Sequence, residues 1–218
     1  MRAKIDAIAT IVMCLAALFV AGMVGFRKAP SARRGLIDIP YSATPVANWD
    51  TLVRAGIRVG DPNSRVTIVE FADFECPFCA RFSESINQVE AEFGKDVSHV
   101  FVHYPLRSHR FARPAARAAE CASAQGHFKS MQDVLFAKQD SLGLKSWVSY
   151  AAEAGVLDTA SFSHCASDAK PLASVEEGLR LGAGLGVTGT PTVIINGLRY
   201  SSPPGDSLSA IVRAALAR

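Results

Sequence analysis

Apolar side chains between Pro77 and Phe93 fall at Phe78, Phe82, Ile86, Val89 and Phe93, at spacings of 4, 4, 3 and 4. That period puts them on one face of an amphipathic helix, and Gly94 is a natural stop. The flanking runs follow a different rule. Val66-Thr67-Ile68-Val69-Glu70-Phe71 is β-branched and aromatic and reads as a buried strand, and Val97 to Leu106 reads as a second. Strand, helix and strand of these lengths predict a parallel pair joined by a right-handed crossover. Helical text follows. Ala115 to Ala124 is alanine-rich, and Phe128 to Lys138 carries Met131, Val134 and Leu135. Ser146 can cap a helix running to Ala154 and closed by Gly155, and Asp158 can cap a short one through Cys165. Pro171 to Leu181 places Leu172, Val175 and Leu179 on one face. After Gly182, Gly184 and Gly186 the pattern returns to strand. Thr192 to Ile195, Asn196-Gly197, then Leu198 to Tyr200 is a hairpin with a type I′ turn. Asp206 to Ala217 closes with a helix. The order βαβ, helices, ββα predicts an α/β fold with a four-stranded mixed central sheet and an α-helical insertion. The expected divisions are 56–106 and 187–218 for the two halves of the sheet domain and 107–186 for the insertion.

The N-terminal stretch is of another kind. Ala7 to Phe26 is twenty residues without a charge, long enough as a helix to span about 30 Å of bilayer core. Residues 1–28 therefore read as a transmembrane anchor; Val20-Ala21-Gly22 also fits a signal cleavage site, which leaves a cleaved signal as the alternative. Cys14 follows Met13, which is not the small residue a lipoprotein cysteine requires, and reads as an apolar helix residue. Residues 29–55 read as a linker, rich in Pro, Ser and Ala at the start. Composition adds little beyond a folded core: 49% of residues are hydrophobic and 20% charged, which argues against disorder. The net charge is +3 with no basic stripe interleaved with aromatics, so no nucleic-acid partner is expected.

The chemistry centres on Phe74-Glu75-Cys76-Pro77-Phe78-Cys79. Proline favours the first helical position, so Cys76 lies at a helix N-terminus, where unpaired N–H groups and the dipole stabilise a thiolate. Cys79 is one turn on and can reach the same sulfur. This arrangement predicts an exposed, reactive Cys76 and a Cys79 shielded by Phe78 and Phe82. A zinc half-site needs a second ligand pair, and Cys121, Cys165 and the five histidines are not spaced to supply it. A structural bridge across so small a ring stabilises little. Redox exchange is the reading that remains, with no cofactor and no metal expected.

VTIVEFADFECPFC, a helix, and GVTGTPTVIING far downstream together resemble the DsbA-like branch of the thioredoxin superfamily, over roughly Gly60 to the C-terminus. The resemblance implies the thioredoxin fold interrupted by a helical domain. It implies a cis Pro191 packed beside Cys76, with the backbone of Thr190 hydrogen-bonding a substrate peptide. It matches Glu70 to the family's buried acid, which accepts or relays the proton of Cys79; the residues alone also allow an edge carboxylate facing water. It suggests a disulfide between Cys121 and Cys165, the alternative being two separate buried thiols.

The implied activity is thiol–disulfide exchange on cysteine-containing protein substrates, with a membrane redox partner that resets the Cys76–Cys79 pair. Oxidation of dithiols is the favoured direction. Pro77-Phe78 between the cysteines and Thr190 before the proline leave a reductase or isomerase as the alternative, and a Cu(I)-binding or holdase module as a more distant one. Arg27, Lys28, Arg33 and Arg34 after the apolar run would by the positive-inside rule keep the domain in the cytoplasm. A thiol oxidase with a second disulfide belongs outside it, and the expected location is periplasm-like or extracellular, anchored through the N-terminal helix. Among lesser candidates, His103, His109 and His127 read as surface or capping histidines, Glu75 as a sequence neighbour that would raise the pKa of Cys76 slightly if close in space, and Gly182 to Gly189 as no phosphate loop.

Overall fold

The computed structural model describes residues 42–200 and 205–218. The apolar run 7–26 and the charges that follow it lie outside these residues. Among the described residues, no helix is long and apolar enough to cross a membrane.

The elements in chain order are β1 (Ala43–Pro45), α1 (Asp50–Ala55), β2 (Ile57–Gly60), β3 (Val66–Ala72), α2 (Pro77–Phe93), β4 (Val97–His103), α3 (Ala112–Ser123), α4 (Phe128–Ala137), α5 (Trp147–Glu153), α6 (Thr159–Ala166), α7 (Ala173–Gly184), β5 (Thr192–Ile195), β6 (Leu198–Tyr200) and α8 (Leu208–Leu216). One mixed sheet has the order β1-β6-β5-β3-β4-β2. β3 and β4 are parallel, Glu70 opposite Phe101 and Ala72 opposite His103, and the remaining pairings are antiparallel. The sheet thus has six strands where the hydrophobic pattern predicted four. The two additions, β1 and β2, are edge strands of three and four residues, too short to show an alternation. β1 and α1 fall inside the stretch that read as linker.

Every residue of β3 and β4 is buried, because both faces of the sheet are covered. On one face Val66 and Ile68 pack with Phe82, Ile86 and Val89 of α2 and Ile211 of α8. On the other, Val69, Phe71, Val100 and Val102 pack with Leu52 of α1. The insertion joins the first face through aromatic packing: the Phe74 and Phe101 rings stack at 4.8 Å, and Phe136 and Phe128 lie 5.1 Å from Phe74 and 5.5 Å from Phe101. Ser146 and Asp158 cap α5 and α6, accepting from the N–H groups of Ser149 and Ser161. A disulfide joins Cys121 of α3 to Cys165 of α6, with the Cα atoms 5.8 Å apart.

α7 runs through Gly182 to Gly184, past the end that the glycines predicted. Gly178 and Gly182 serve close packing instead of termination. A Cβ on Gly178 would sit 2.1 Å from the His103 carbonyl oxygen, and one on Gly182 would sit 2.3 Å from the Tyr104 ring. The helix therefore lies directly on the end of β4. Asn196 and Gly197 both have positive φ, as a type I′ turn requires.

Gly178→Ala is expected to lower stability by about 1–3 kcal/mol through overpacking against backbone. Gly184→Ala, where nothing lies within 4 Å, serves as the control and shifts the melting temperature little. Equal melting temperatures for the two variants would show that α7 does not need the close approach. Replacing Cys121 and Cys165 together by Ala opens a link of sequence separation 44; chain entropy sets an upper bound of about 4 kcal/mol on the loss. The expected result is a lower thermal midpoint with an unchanged far-ultraviolet circular dichroism spectrum.

Candidate active site

The strand β3 delivers the chain to the turn Asp73–Cys76, and α2 starts at Pro77, with Cys76 as its extended N-cap residue. Asp73 builds the turn. Its carboxylate accepts the N–H of Glu75 at 2.7 Å and of Leu106 at 2.7 Å, and its Oδ2 lies 2.8 Å from Nδ1 of His109. Its carbonyl accepts the N–H of Cys76. From the insertion, Gln139 donates to the carbonyls of Phe74 at 2.7 Å and Cys76 at 2.8 Å. The loop before β5 closes the site from the other side. The Thr190–Pro191 peptide is cis, and Cys76 Sγ lies 3.3 Å from the Thr190 carbonyl oxygen.

Cys76 and Cys79 are free thiols. Cys76 is only 3% exposed and Cys79 is fully buried, so the expectation of an exposed Cys76 is corrected: it is merely the more accessible of the two, because the Thr190 loop and the aromatic cluster close over the helix start. The expected shield of Cys79 is corrected as well. Phe78 is 60% exposed, pointing outward with the Arg81 guanidinium 4.5 Å from its ring. Phe82 is buried, in the core between α2 and the sheet. Cys79 takes the inward side of the first helical turn, and Phe78, one position before it, faces solvent.

The two thiols have opposite electrostatics. The Cys76 pKa falls from 9.0 to about 5, mainly through the hydrogen bond from the Cys79 thiol. Burial opposes that shift, while Thr190 and the backbone N–H groups of Cys79 and Phe78 add to it. The helix N-terminus thus contributes, but the partner thiol contributes most. Thr190 Oγ1 is buried without a hydrogen-bond partner among the described residues. Cys79 moves the other way, well above the usual thiol range, because of its burial, its hydrogen bond to Cys76 and the nearby charge of Glu70.

Glu70 is fully buried and not an edge carboxylate facing water. Its place in β3 puts it on the α2 face, in step with Val66 and Ile68. Oε2 lies 2.9 Å from Nε2 of His99, also fully buried, and Oε1 has no partner among the described residues. Burial raises the Glu70 pKa, and His99 opposes the rise. His103 is buried 3.3 Å from Glu120 and is not a surface histidine. His127 occupies the N-cap position of α4 without a side-chain cap bond. Glu75 is turned away from Cys76, its Oε2 accepting the N–H of Phe111 at 2.6 Å.

Sequence reasoning missed three of these residues. His99 carried a signal, a polar side chain within a strand otherwise fit for burial on both faces. Asp73 carried a weaker one, an Asx residue between strand and helix. Gln139 carried none, since nothing local marks a side chain that reaches back 63 residues to Cys76.

A thioredoxin-type sheet with a polarised dithiol at a helix start, facing a Thr-Pro loop, is a site for thiol–disulfide exchange. The family model Thioredoxin_4, described as thioredoxin, matches residues 53–214. Among solved structures, oxidised BdbD from Bacillus subtilis superposes with a TM-score of 0.68 at 20% identity, covering 82% of this chain and 99% of that one; this likeness is one of fold. A thioredoxin-like oxidoreductase from Silicibacter pomeroyi gives 0.63 at 26% identity, covering 79% and 97%. Pseudomonas aeruginosa DsbA2 gives 0.58 at 28% identity, covering 73% and 92%. The chain belongs to the thioredoxin family and is similar to DsbA2 and to a thioredoxin-like oxidoreductase. Curated relatives include the Na(+)/H(+) antiporter NhaA 1 of Mycolicibacterium gilvum, 39% identical over 147 residues, which are 66% of this chain and 24% of that protein. NhaA 3 of Salinispora tropica is 34% identical over 188 residues, 85% of this chain and 27% of that protein. The chain spans about a quarter of the length of these relatives, and the antiport in their names is said of those proteins.

The Cys76 thiolate links redox state to pH. A thiol whose folded pKa is depressed to about 5 contributes stability that is fully present above its unfolded value near 9 and is lost as pH falls through 5. The oxidised protein has no such group. Denaturant unfolding is therefore expected to show the reduced form gaining about 2–3 kcal/mol on the oxidised form between pH 4 and pH 7. Parallel pH profiles for the two forms would exclude a stabilised thiolate.

Proposed function

We propose that the protein oxidises dithiols of polypeptide substrates outside the cytoplasm through a Cys76–Cys79 disulfide. One feature carries the direction: the Cys76 pKa is lowered to about 5, first of all by the Cys79 thiol, a donor that only the reduced form has. Stabilising the reduced form makes the disulfide a stronger oxidant.

The steps follow from the geometry. A substrate thiolate attacks Cys76 Sγ, and the bond to Cys79 breaks. Cys79 leaves as a thiolate and takes up a proton, which its high pKa favours. Glu70 is the nearby acid, its proton retained by burial. The substrate is now bonded to Cys76, with the Thr190 backbone beside that sulfur. A second substrate thiolate attacks the substrate's own sulfur in the mixed disulfide, and Cys76 departs as a thiolate. Two electrons have moved from the substrate dithiol to the protein dithiol. A membrane redox partner that accepts electrons resets the pair.

The Cys121–Cys165 disulfide supports an oxidising compartment, and residues 7–26 would tether the domain to the membrane. Phe78 between the cysteines and Thr190 before Pro191 favour the second reading, a reductase or isomerase using the same atoms.

Redox titration of the purified protein in glutathione buffers separates the two. A potential above about −180 mV is expected for the oxidase; one below about −230 mV would make it a reductase. Cys79→Ser is expected to accumulate mixed disulfides with substrates, and Cys76→Ser to lose exchange altogether. Faster alkylation of Cys79 than of Cys76 in the reduced protein would reverse the assignment.

A further inference from the structure

At the end of the sheet that carries the dithiol lies a cavity that the exchange chemistry does not use. Because β3 and β4 are parallel, with Ala72 opposite His103, the Cys76 turn and the loop 104–111 leave the same end of the sheet. A cavity of about 910 Å³ opens between that loop and α7. Tyr104 and Leu179 give it an apolar lining, and Arg107, Arg110, Arg113 and Arg180 surround them with a single carboxylate, Glu176. Glu176 is already engaged by Arg113 at 2.7 Å, and Arg180 pairs with Glu177. Arg107 and Arg110 are exposed and form no ion pair among the described residues.

The carboxylates nearest in sequence to the dithiol do not neutralise these arginines. Asp73 is spent on the N–H groups of Glu75 and Leu106 and on His109, and Glu75 on the N–H of Phe111. Anchoring the loop engages these carboxylates elsewhere, and neither forms an ion pair with Arg107 or Arg110 among the described residues. The loop wall of the cavity is also tied to the reacting loops at two points. His109 is held by Asp73, whose carbonyl accepts the Cys76 N–H. The Tyr104 hydroxyl donates to the carbonyl of Val187, three residues before Thr190.

We propose that this arginine-lined cavity docks an acidic segment of the polypeptide substrate, flanking the cysteine that reacts with Cys76. The inference rests on the exchange reading above and adds which substrates that site selects. Guanidinium groups grip carboxylates in forked pairs. The apolar lining takes the methylenes of Asp and Glu side chains and their neighbours. Charges this exposed act mainly on encounter and orientation, so the preference is sensitive to salt.

Two measurements keep the docking separate from the chemistry. The first is fluorescence anisotropy with a labelled acidic peptide whose cysteine is replaced by serine, against the same peptide with Asn and Gln for Asp and Glu. At low ionic strength the acidic peptide is expected to bind about tenfold tighter, and 0.5 M salt is expected to remove most of the difference. Arg107→Gln with Arg110→Gln brings the ratio toward one. Arg65→Gln with Lys95→Gln removes the same charge at the opposite end of β3 and β4 and leaves the ratio unchanged. Equal binding of the two peptides, or an equal loss in both double variants, overturns the proposal in favour of no site or of a diffuse field. The second measurement is oxidation of the cysteine-containing neutral peptide, which reports the dithiol alone. Failure there refutes the exchange reading, whatever the anisotropy shows.

Discussion

A thiol donating to a thiolate one helical turn away is the interaction on which the site depends. Two buried sulfurs share one negative charge, and the surroundings decide where it rests. At Cys76 the Cys79 thiol, Thr190 and two N–H groups of the helix start outweigh the penalty of burial. None of these groups acts unless it is placed. The helix start is aimed by the Asp73 turn and by Gln139 from the insertion, and Thr190 by the antiparallel pairing of β5 with β3. Three segments far apart in sequence therefore converge on one sulfur.

The charge is kept off Cys79 by what lies near it. A lone carboxylate in a dry interior is costly, and a hydrogen-bonded partner reduces that cost. Glu70 has His99 on one oxygen and no partner among the described residues on the other. Its negative charge, when present, opposes a second anion at Cys79, and its proton, when present, is close to where a leaving thiolate needs one. Titratable groups pushed apart by their surroundings mark acid–base roles, and the Cys76, Cys79 and Glu70 environments are pushed apart in this way.

The helical insertion does more than cover the sheet. Its Phe136 and Phe128 pack tilted and edge-on against Phe74 and Phe101, in one core cluster with the dithiol, and Gln139 ties the turn from the same insertion. α7 approaches the end of β4 closely enough that two of its positions admit only glycine without displacing backbone or ring. That contact forms the wall of the arginine-lined cavity and, through Tyr104 and Val187, reaches the loop that holds Thr190.

The helix of Pro77 to Phe93, both central strands, the Asn-Gly hairpin and the caps at Ser146 and Asp158 were legible because each depends on a local rule: period, β-branching, turn chemistry or a side chain meeting an N–H three residues on. The order of the two cysteines along the helix was legible for the same reason, since helix position alone sets which comes first. The short edge strands were not, because three or four residues show no period. Phe78 misled for a related reason: a helical face predicts burial only where something lies against it, and at the first turn the buried side is the one that carries Cys79. The glycines of α7 read as a helix end because glycine is a poor helix former, whereas close packing on β4 overrode that preference. Glu70 was found in sequence, but its partner His99 was not, and Asp73 and Gln139 acquired their roles only from chain segments tens of residues away. Local sequence determined which residues form helices and strands and which sulfur heads the helix. Tertiary structure decided where the negative charge resides, because hydrogen-bond donors and burial act through space, and no short stretch of sequence records that distance.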